Sequence, residues 1–190
     1  MRVCGIIARA AEVFATDGQK REERQMVAVL LAEGFEELEA LSPVDILRRE
    51  GIEVKTVGIA GREVRGAHGI TVVADVTAEE VATGDLTAVI FPGGMPGSLN
   101  LDASPYADLF IKAVRKNGGR IAAICAAPLV LGRRGLLKGR RATCFPGFEG
   151  ELVGAVATGE AVVTDGDITT ARDFRAAVEF GDELARLLKK

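Results

Sequence analysis

The chain has 190 residues, 48% of them hydrophobic and 27% charged, with 24 basic residues against 27 acidic ones for a net charge of −3. That length fits one domain with a sizeable core, and charges spread without a block of one sign leave no footprint for nucleic acid or an anionic membrane surface. No apolar run nears the ~20 residues that span a bilayer, and Cys4, Cys125 and Cys144 lack the paired spacing of a disulfide framework or a zinc site, so a reducing, cytoplasmic setting without metal or cofactor is expected.

Residues 1–25 read as a leader, loosely ordered or outside the native fold. Their apolar start is broken by Arg9 and runs into a charged stretch, without the uninterrupted apolar core of a secretory signal. Residues 26–190 read as one domain. "MVAVLLA" from Met26 is an apolar run of strand length, as in a strand covered on both faces. "EELEALSPVDILRREG" comes next at helical spacing and closes on basic residues and Gly51, a helix C-terminus; Ser42 and Pro43 are expected to bend or restart it. "IEVKTVGI" is the second strand and "GREVRGAHGITVVAD" a hairpin around a Gly-rich turn. An acidic helical segment precedes "TAVIFPGG", a third buried strand ending in Pro92, Gly93 and Gly94. Residues 104–117 are predicted to be a helix and "GRIAAIC" the next strand. "APLVLGRRGLL" starts a helix, "RRATCFPG" is a strand and turn, "GEAVVTDGDITTA" a pair of short strands, and "RDFRAAVEFGDELARLLKK" an amphipathic closing helix. Strands alternating with helices of this length predict a single-domain α/β fold, a doubly wound, mainly parallel sheet with helices on both faces.

In such a sheet the chemistry collects outside the carboxyl ends of the strands. Cys125 ends one strand and precedes a helix, where unpaired N–H groups and the helix dipole favour an anion and lower a thiol's pKa. Small neighbours on both sides (Ala122, Ala123, Ala126, Ala127) suit a sharp strand-to-helix turn. A lone cysteine in an apolar run is more often core, so nucleophile and core residue both stay open on pattern alone. The Gly93–Gly94 pair lets backbone approach a ligand and aim an N–H at a developing oxyanion, or forms an ordinary turn. Glu33, Glu36, Glu37 and Glu39 crowd a helix start; such residues are usually solvated, but a carboxyl beside a thiolate in a pocket would have its pKa raised and could act as acid or base. The chain's one histidine, His68, sits in the "RGAHGI" turn, where a surface role is favoured, so catalysis would rest on Cys125 and a glutamate.

Four segments in order, "AEGFEELEALSPVDILRREGIEV", "VIFPGG", "AAICAAP" and "TDGDITTARDF", resemble the ThiJ/PfpI superfamily and within it the DJ-1/YajL-like branch, over about Met26 to Lys190. The resemblance implies a flavodoxin-like fold, a reactive cysteine at Cys125, a protonated glutamate partner at Glu39 and backbone donors to the sulfur at Gly94 and Ala126. Gly93, Phe145 and Arg172 are implied pocket residues. Phe145 stands where several relatives carry a histidine, and "ARDFR" departs from the relatives' Arg-Gly-Pro-Gly segment except at Arg172. A homodimer with the helix "VDILRR" near the partner is also implied.

The activity implied is a cofactor-independent, glutathione-independent glyoxalase or a deglycase acting on methylglyoxal and related small reactive carbonyls. The alternative is a redox-sensing or chaperone-like stress protein whose cysteine oxidises to a sulfinate. A PfpI-like peptidase is weaker, because that branch relies on a histidine absent here. Cys144 is open to a transient disulfide with Cys125, with a spectator thiol favoured.

Overall fold

The computed structural model describes residues 26–189; the expected leader, residues 1–25, lies outside the described residues. β1 (Met26–Leu31) is buried along its whole length. Met26, Ala28 and Leu30 join one apolar cluster while Val27, Val29 and Leu31 join another, as a two-residue period requires when helices cover both faces.

α1 (Glu37–Arg49) opens on Glu36, whose carboxylate caps it by accepting the Glu39 N–H at 2.7 Å. It runs on through Pro43 as one element, against the expected bend or restart. Pro43 is buried on the face turned to α5 (Ala177–Leu188), where its Cα and Ile46 fill the space over Gly181; that packing outweighs the hydrogen bond a proline removes.

β2 (Glu53–Gly58) leads into the antiparallel hairpin β3 (Glu63–Arg65) and β4 (Thr71–Val73), then β5 (Val76–Thr77). In place of the expected acidic helix there are two short 3₁₀ turns, Ala78–Glu80 and Thr83–Asp85. β6 (Leu86–Phe91) precedes α2 (Gly97–Ala103), a short helix the periodicity does not announce, and α3 (Pro105–Lys116). β7 (Arg120–Ile124) and α4 (Pro128–Arg133) come next, then the two-residue strands β8 (Arg141–Ala142) and β9 (Val156–Ala157), which pair with each other. β10 (Val162–Asp165) and β11 (Ile168–Ala171) complete the strands.

The main sheet has the order β10-β11-β7-β6-β1-β2-β5, parallel except for the β10–β11 pair. Residues of α1 and α5 pack on one face, and those of α2, α3 and α4 on the other. This is the doubly wound, flavodoxin-like α/β architecture that the sequence leads one to expect. The chain leaves β1 towards β2 and returns on β1's other side as β6, so the strand order reverses between β1 and β6 and opens a crevice at their carboxyl ends. Among the described residues no helix is long and apolar enough to cross a membrane.

The β3–β4 hairpin is tied to the sheet through Asp75. Its carboxylate accepts from the Thr56 N–H and hydroxyl, both at 2.8 Å, and from Arg48 at 2.6 Å. Burial works against the charge, but Thr56 and Arg48 outweigh it and hold Asp75 below its ordinary range. A lowered carboxyl stabilises the fold above its unfolded-state pKa, and that contribution is lost as pH falls through the folded value. Asp75→Asn is therefore expected to be less stable than wild type at pH 7, with the gap closing towards pH 3. Urea titrations at the two pH values check this; a gap independent of pH would contradict it.

Candidate active site

Three strand ends converge at the crevice. The Glu36 N–H donates to the Gly93 carbonyl at 3.0 Å, joining the β1–α1 loop to the turn after β6. The Gly93 N–H donates to Glu39 Oε2 at 3.0 Å. A Cβ on Gly93 would overlap that oxygen and stand 2.6 Å from Cys125 Cβ, so only glycine lets the turn close over both groups.

Cys125 comes directly after β7 and has φ 64°, the only non-glycine residue with positive φ among the described residues. Such a backbone persists only where its surroundings over-determine it. Here the Cys125 N–H donates to the Ala171 carbonyl at 2.9 Å and its carbonyl accepts from the Phe145 N–H at 2.8 Å. Ala126 and Ala127 are buried beside it, and the elbow leaves the cysteine partly exposed.

The expected helix dipole is not what acts on this sulfur. α4 begins at Pro128, three residues further on, and is six residues long. Two particular donors, the N–H groups of Ala126 and Gly94, favour the anion, but burial and then the negative charge of Glu39 push the thiol well above its ordinary value. The expected lowering of the thiol is not found: burial first, and then the charge of the neighbouring carboxylate, raises it, so charge reaches the sulfur when Glu39 holds the pair's proton.

Glu39 is 1% exposed. Burial raises its pKa to about 7, opposed by the hydrogen bonds from Cys125 and Gly93 and helped by the charges of Glu36 and Asp173. Its second oxygen, Oε1, is buried without a hydrogen-bond partner, an arrangement that suits a protonated carboxyl better than a carboxylate. Cys125 and Glu39 therefore form a coupled pair in which a negative charge on either raises the other.

The pair opens into a cavity of about 540 Å³. Cys125, Gly94, Ala126 and Glu39 line its inner part, and the side chains of Leu38, Ile70, Met95, Phe145, Phe148 and Phe174 make it largely apolar. Phe145 thus lines the pocket, while Gly93 supports it through Glu39. Arg172 is not among the lining residues; its guanidinium donates to the Gly159 carbonyl at 3.1 Å and pairs with Asp173 at 3.3 Å. Cys144 is buried within the apolar cluster under α2, α3 and α4, its thiol raised to about 11 by burial and by Glu149. It is a free thiol, as is Cys125.

Sequence reasoning places His68 in a surface turn and does not reach its partner. The β3–β4 turn folds over the start of α1, so His68 lines the same cavity. Its Nδ1 lies 2.8 Å from Glu37 Oε2, and its backbone N–H donates to Glu37 Oε1 at 2.8 Å. Glu37 is 4% exposed; burial opposes its charge, but His68 and the surrounding N–H groups hold it below its ordinary range and raise the imidazole in return. Glu36, Glu37 and His68 offer three ligand atoms within 4.8 Å. Those groups are already committed to one another and to the cap of α1, so the cluster is a hydrogen-bonded network. No local spacing joins positions 37 and 68; the sole signal is that the chain's one histidine falls in a turn.

The family model of the DJ-1/PfpI family matches residues 25–187. Protein dj-1beta of Drosophila melanogaster is 35% identical over 163 residues, 84% of this chain and 87% of that protein. A deglycase of Pyrococcus abyssi is 32% identical over 166 residues, 86% of this chain and 99% of that protein. The crystal structure of a DJ-1 superfamily protein from Salmonella typhimurium superposes with a TM-score of 0.80 at 41% identity, covering 86% of this chain and 90% of that one.

Proposed function

The chain belongs to the DJ-1/PfpI family, and on that premise we propose that it is a cofactor-independent glyoxalase or deglycase, acting through Cys125 on methylglyoxal and related small carbonyls. The observation that carries this reading is the partly exposed cysteine at a strained elbow beside a buried carboxyl whose pKa is about 7. The deglycase named among the relatives supports it.

In the reactive form the pair's proton sits on Glu39 and the charge on sulfur. This leaves no charge on the unpartnered Oε1 and the thiolate facing the Ala126 and Gly94 N–H groups. The thiolate adds to the aldehyde carbon to give a hemithioacetal. With the charge gone from sulfur, Glu39 releases its proton and, as the carboxylate, moves a proton from that carbon to the adjacent one. The first carbon is thereby oxidised to a thioester and the second reduced to an alcohol, so no external oxidant enters. Water then displaces the sulfur and releases lactate. The exposed apolar side chains at the mouth, Leu38, Ile70, Met95 and Phe174, support a homodimer that covers part of the pocket.

The test is direct. Purified protein is given methylglyoxal without glutathione, and lactate is followed by proton NMR against protein alkylated beforehand with iodoacetamide. Lactate formed by the native protein alone supports the reading; equal amounts in both samples sink it. The same donors around the sulfur also suit the oxygens of a sulfinate, which supports a redox-sensing stress protein as the second reading. Absence of lactate, together with two added oxygens on Cys125 after mild peroxide, would favour that reading.

A further inference from the structure

The chemistry just proposed moves two kinds of proton, and Glu39 can serve only one of them at a time. Its carboxyl is buried between Gly93 and Cys125, well placed for the carbon-bound proton. The carbonyl oxygen also gains a proton when sulfur adds, and loses one when the adduct rearranges. Of the other titratable groups lining the cavity, Glu36 caps α1 and Glu37 is occupied by the hairpin, which leaves the His68 imidazole.

Gly66 lets the hairpin lie directly on the Glu37 side chain, since a Cβ at that position would overlap Glu37 Oε1. Glu37 is itself more than nine-tenths buried, and takes the His68 N–H at 2.8 Å, the Ile70 N–H at 3.4 Å and His68 Nδ1 at 2.8 Å. A buried carboxylate on Nδ1 fixes the ring's orientation and its tautomer, and leaves Nε2 to meet a ligand. The ring itself is 69% exposed, on the wall of the cavity that holds Cys125. The titratable groups around it are Glu37 and Glu36 from the start of α1, Glu39 and Cys125 deeper in the pocket, and Arg65 on its own hairpin.

Building on the carbonyl chemistry above, we propose that His68, oriented by Glu37, is the acid–base residue that protonates and deprotonates the substrate's oxygens. As the Cys125 sulfur bonds to the aldehyde carbon, the carbonyl's π pair moves to oxygen and takes the Nε2 proton of the imidazolium. With the charge gone from sulfur, Glu39 releases its proton and the imidazole takes one up; the Glu39 carboxylate then removes the carbon-bound hydrogen while the imidazolium protonates the second carbonyl oxygen, giving the enediol. Glu39 returns that hydrogen to the second carbon as the imidazole takes the first hydroxyl's proton. The proton count on His68 is restored at the thioester. Glu37 is a positioning residue in this scheme.

The discriminating experiment sets a step that needs an acid against one that does not. Addition of the Cys125 thiolate to methylglyoxal, followed by stopped-flow loss of the thiolate's ultraviolet absorbance, needs a proton for the oxygen. Alkylation by iodoacetamide forms a carbon–sulfur bond and expels iodide without one. His68→Asn is expected to slow addition by about 10²-fold and to leave alkylation within about threefold. In wild type the addition rate should fall as pH rises through the imidazole's pKa. Glu37→Gln, which removes the charge that raises the ring, should move that fall to lower pH, and His68→Asn should abolish it. Addition within about twofold of wild type in His68→Asn overturns the proposal, as does an equal loss of alkylation, which would make His68 only a stabiliser of the thiolate. Adduct without lactate in the wild type would defeat the glyoxalase reading while leaving these rates to judge His68; no adduct at all defeats both.

Discussion

Cys125→Ser is expected to reduce lactate formation from methylglyoxal to the level of a protein-free control, a loss of at least ~10⁴-fold for a reaction that runs through a covalent sulfur adduct. The elbow should survive the change. Its geometry is set by backbone hydrogen bonds to Ala171 and from Phe145, neither of which involves the side chain, and oxygen is smaller than sulfur. Serine cannot supply the anion, because its hydroxyl is far less acidic than a thiol and the groups that favour a charge here are two N–H donors. Unfolding in urea should therefore give a midpoint close to wild type while turnover vanishes. A serine variant that keeps a tenth of the activity would mean that the carbonyl is attacked by some other group.

Glu39→Gln is expected to lower turnover by about 10²- to 10⁴-fold and, at neutral pH, to make the protein more stable. The amide would keep an oxygen for the Gly93 N–H but would have no proton to exchange with carbon. The stability change comes from the sign of the shift. Burial raises the carboxyl from its ordinary 4.5 to about 7, so between these values the unfolded chain ionises Glu39 while the folded protein still keeps it neutral. Wild type loses stability as pH rises through this window. With each tenfold change in proton affinity costing about 1.4 kcal/mol, the loss approaches about 3 kcal/mol by pH 7. The neutral glutamine does not incur it. Denaturant titrations of both proteins at pH 4 and pH 7 read the effect: near-equal stability in acid, and a variant ahead by up to about 3 kcal/mol at pH 7. A difference that does not change with pH would show that Glu39 ionises normally in the fold. The unpartnered Oε1 is where the cost of burying this carboxyl is visible.

Much of this was legible in the sequence. The apolar runs at Met26–Leu31, Leu86–Phe91 and Arg120–Ile124 are long enough for strands, too short for buried helices, and separated by helical patterns, so the layer order follows from local periodicity. That Cys125 ends a strand among small residues is equally local. The segments shared with DJ-1-like proteins point to Glu39, where spacing alone leaves four glutamates as equals.

Their separate fates depend on contacts across the fold. Glu33 accepts the Arg65 N–H, Glu36 caps α1, Glu37 holds His68 and Glu39 meets Gly93 and Cys125. Each partner apart from the cap lies 31 or more positions away in the chain. Helical periodicity says which way a residue faces on its own element, but not what the next strand or hairpin will place there.

The same distinction explains the corrections. The missing N–H of Pro43 is a local property and argues for a bend, whereas its burial against α5 is a tertiary one and keeps the helix whole. A helix start a few residues beyond Cys125 is likewise a local cue to a lowered thiol, whereas burial and the charge of a glutamate from another element set its proton affinity. Short-range patterns of apolar and small residues are enough to place the strands, most of the helices and the candidate sulfur. The burial of Glu39 beside that sulfur and the arrival of His68 at the same cavity depend on the folded chain, because desolvation and charge pairing act through space between segments that the chain order keeps apart.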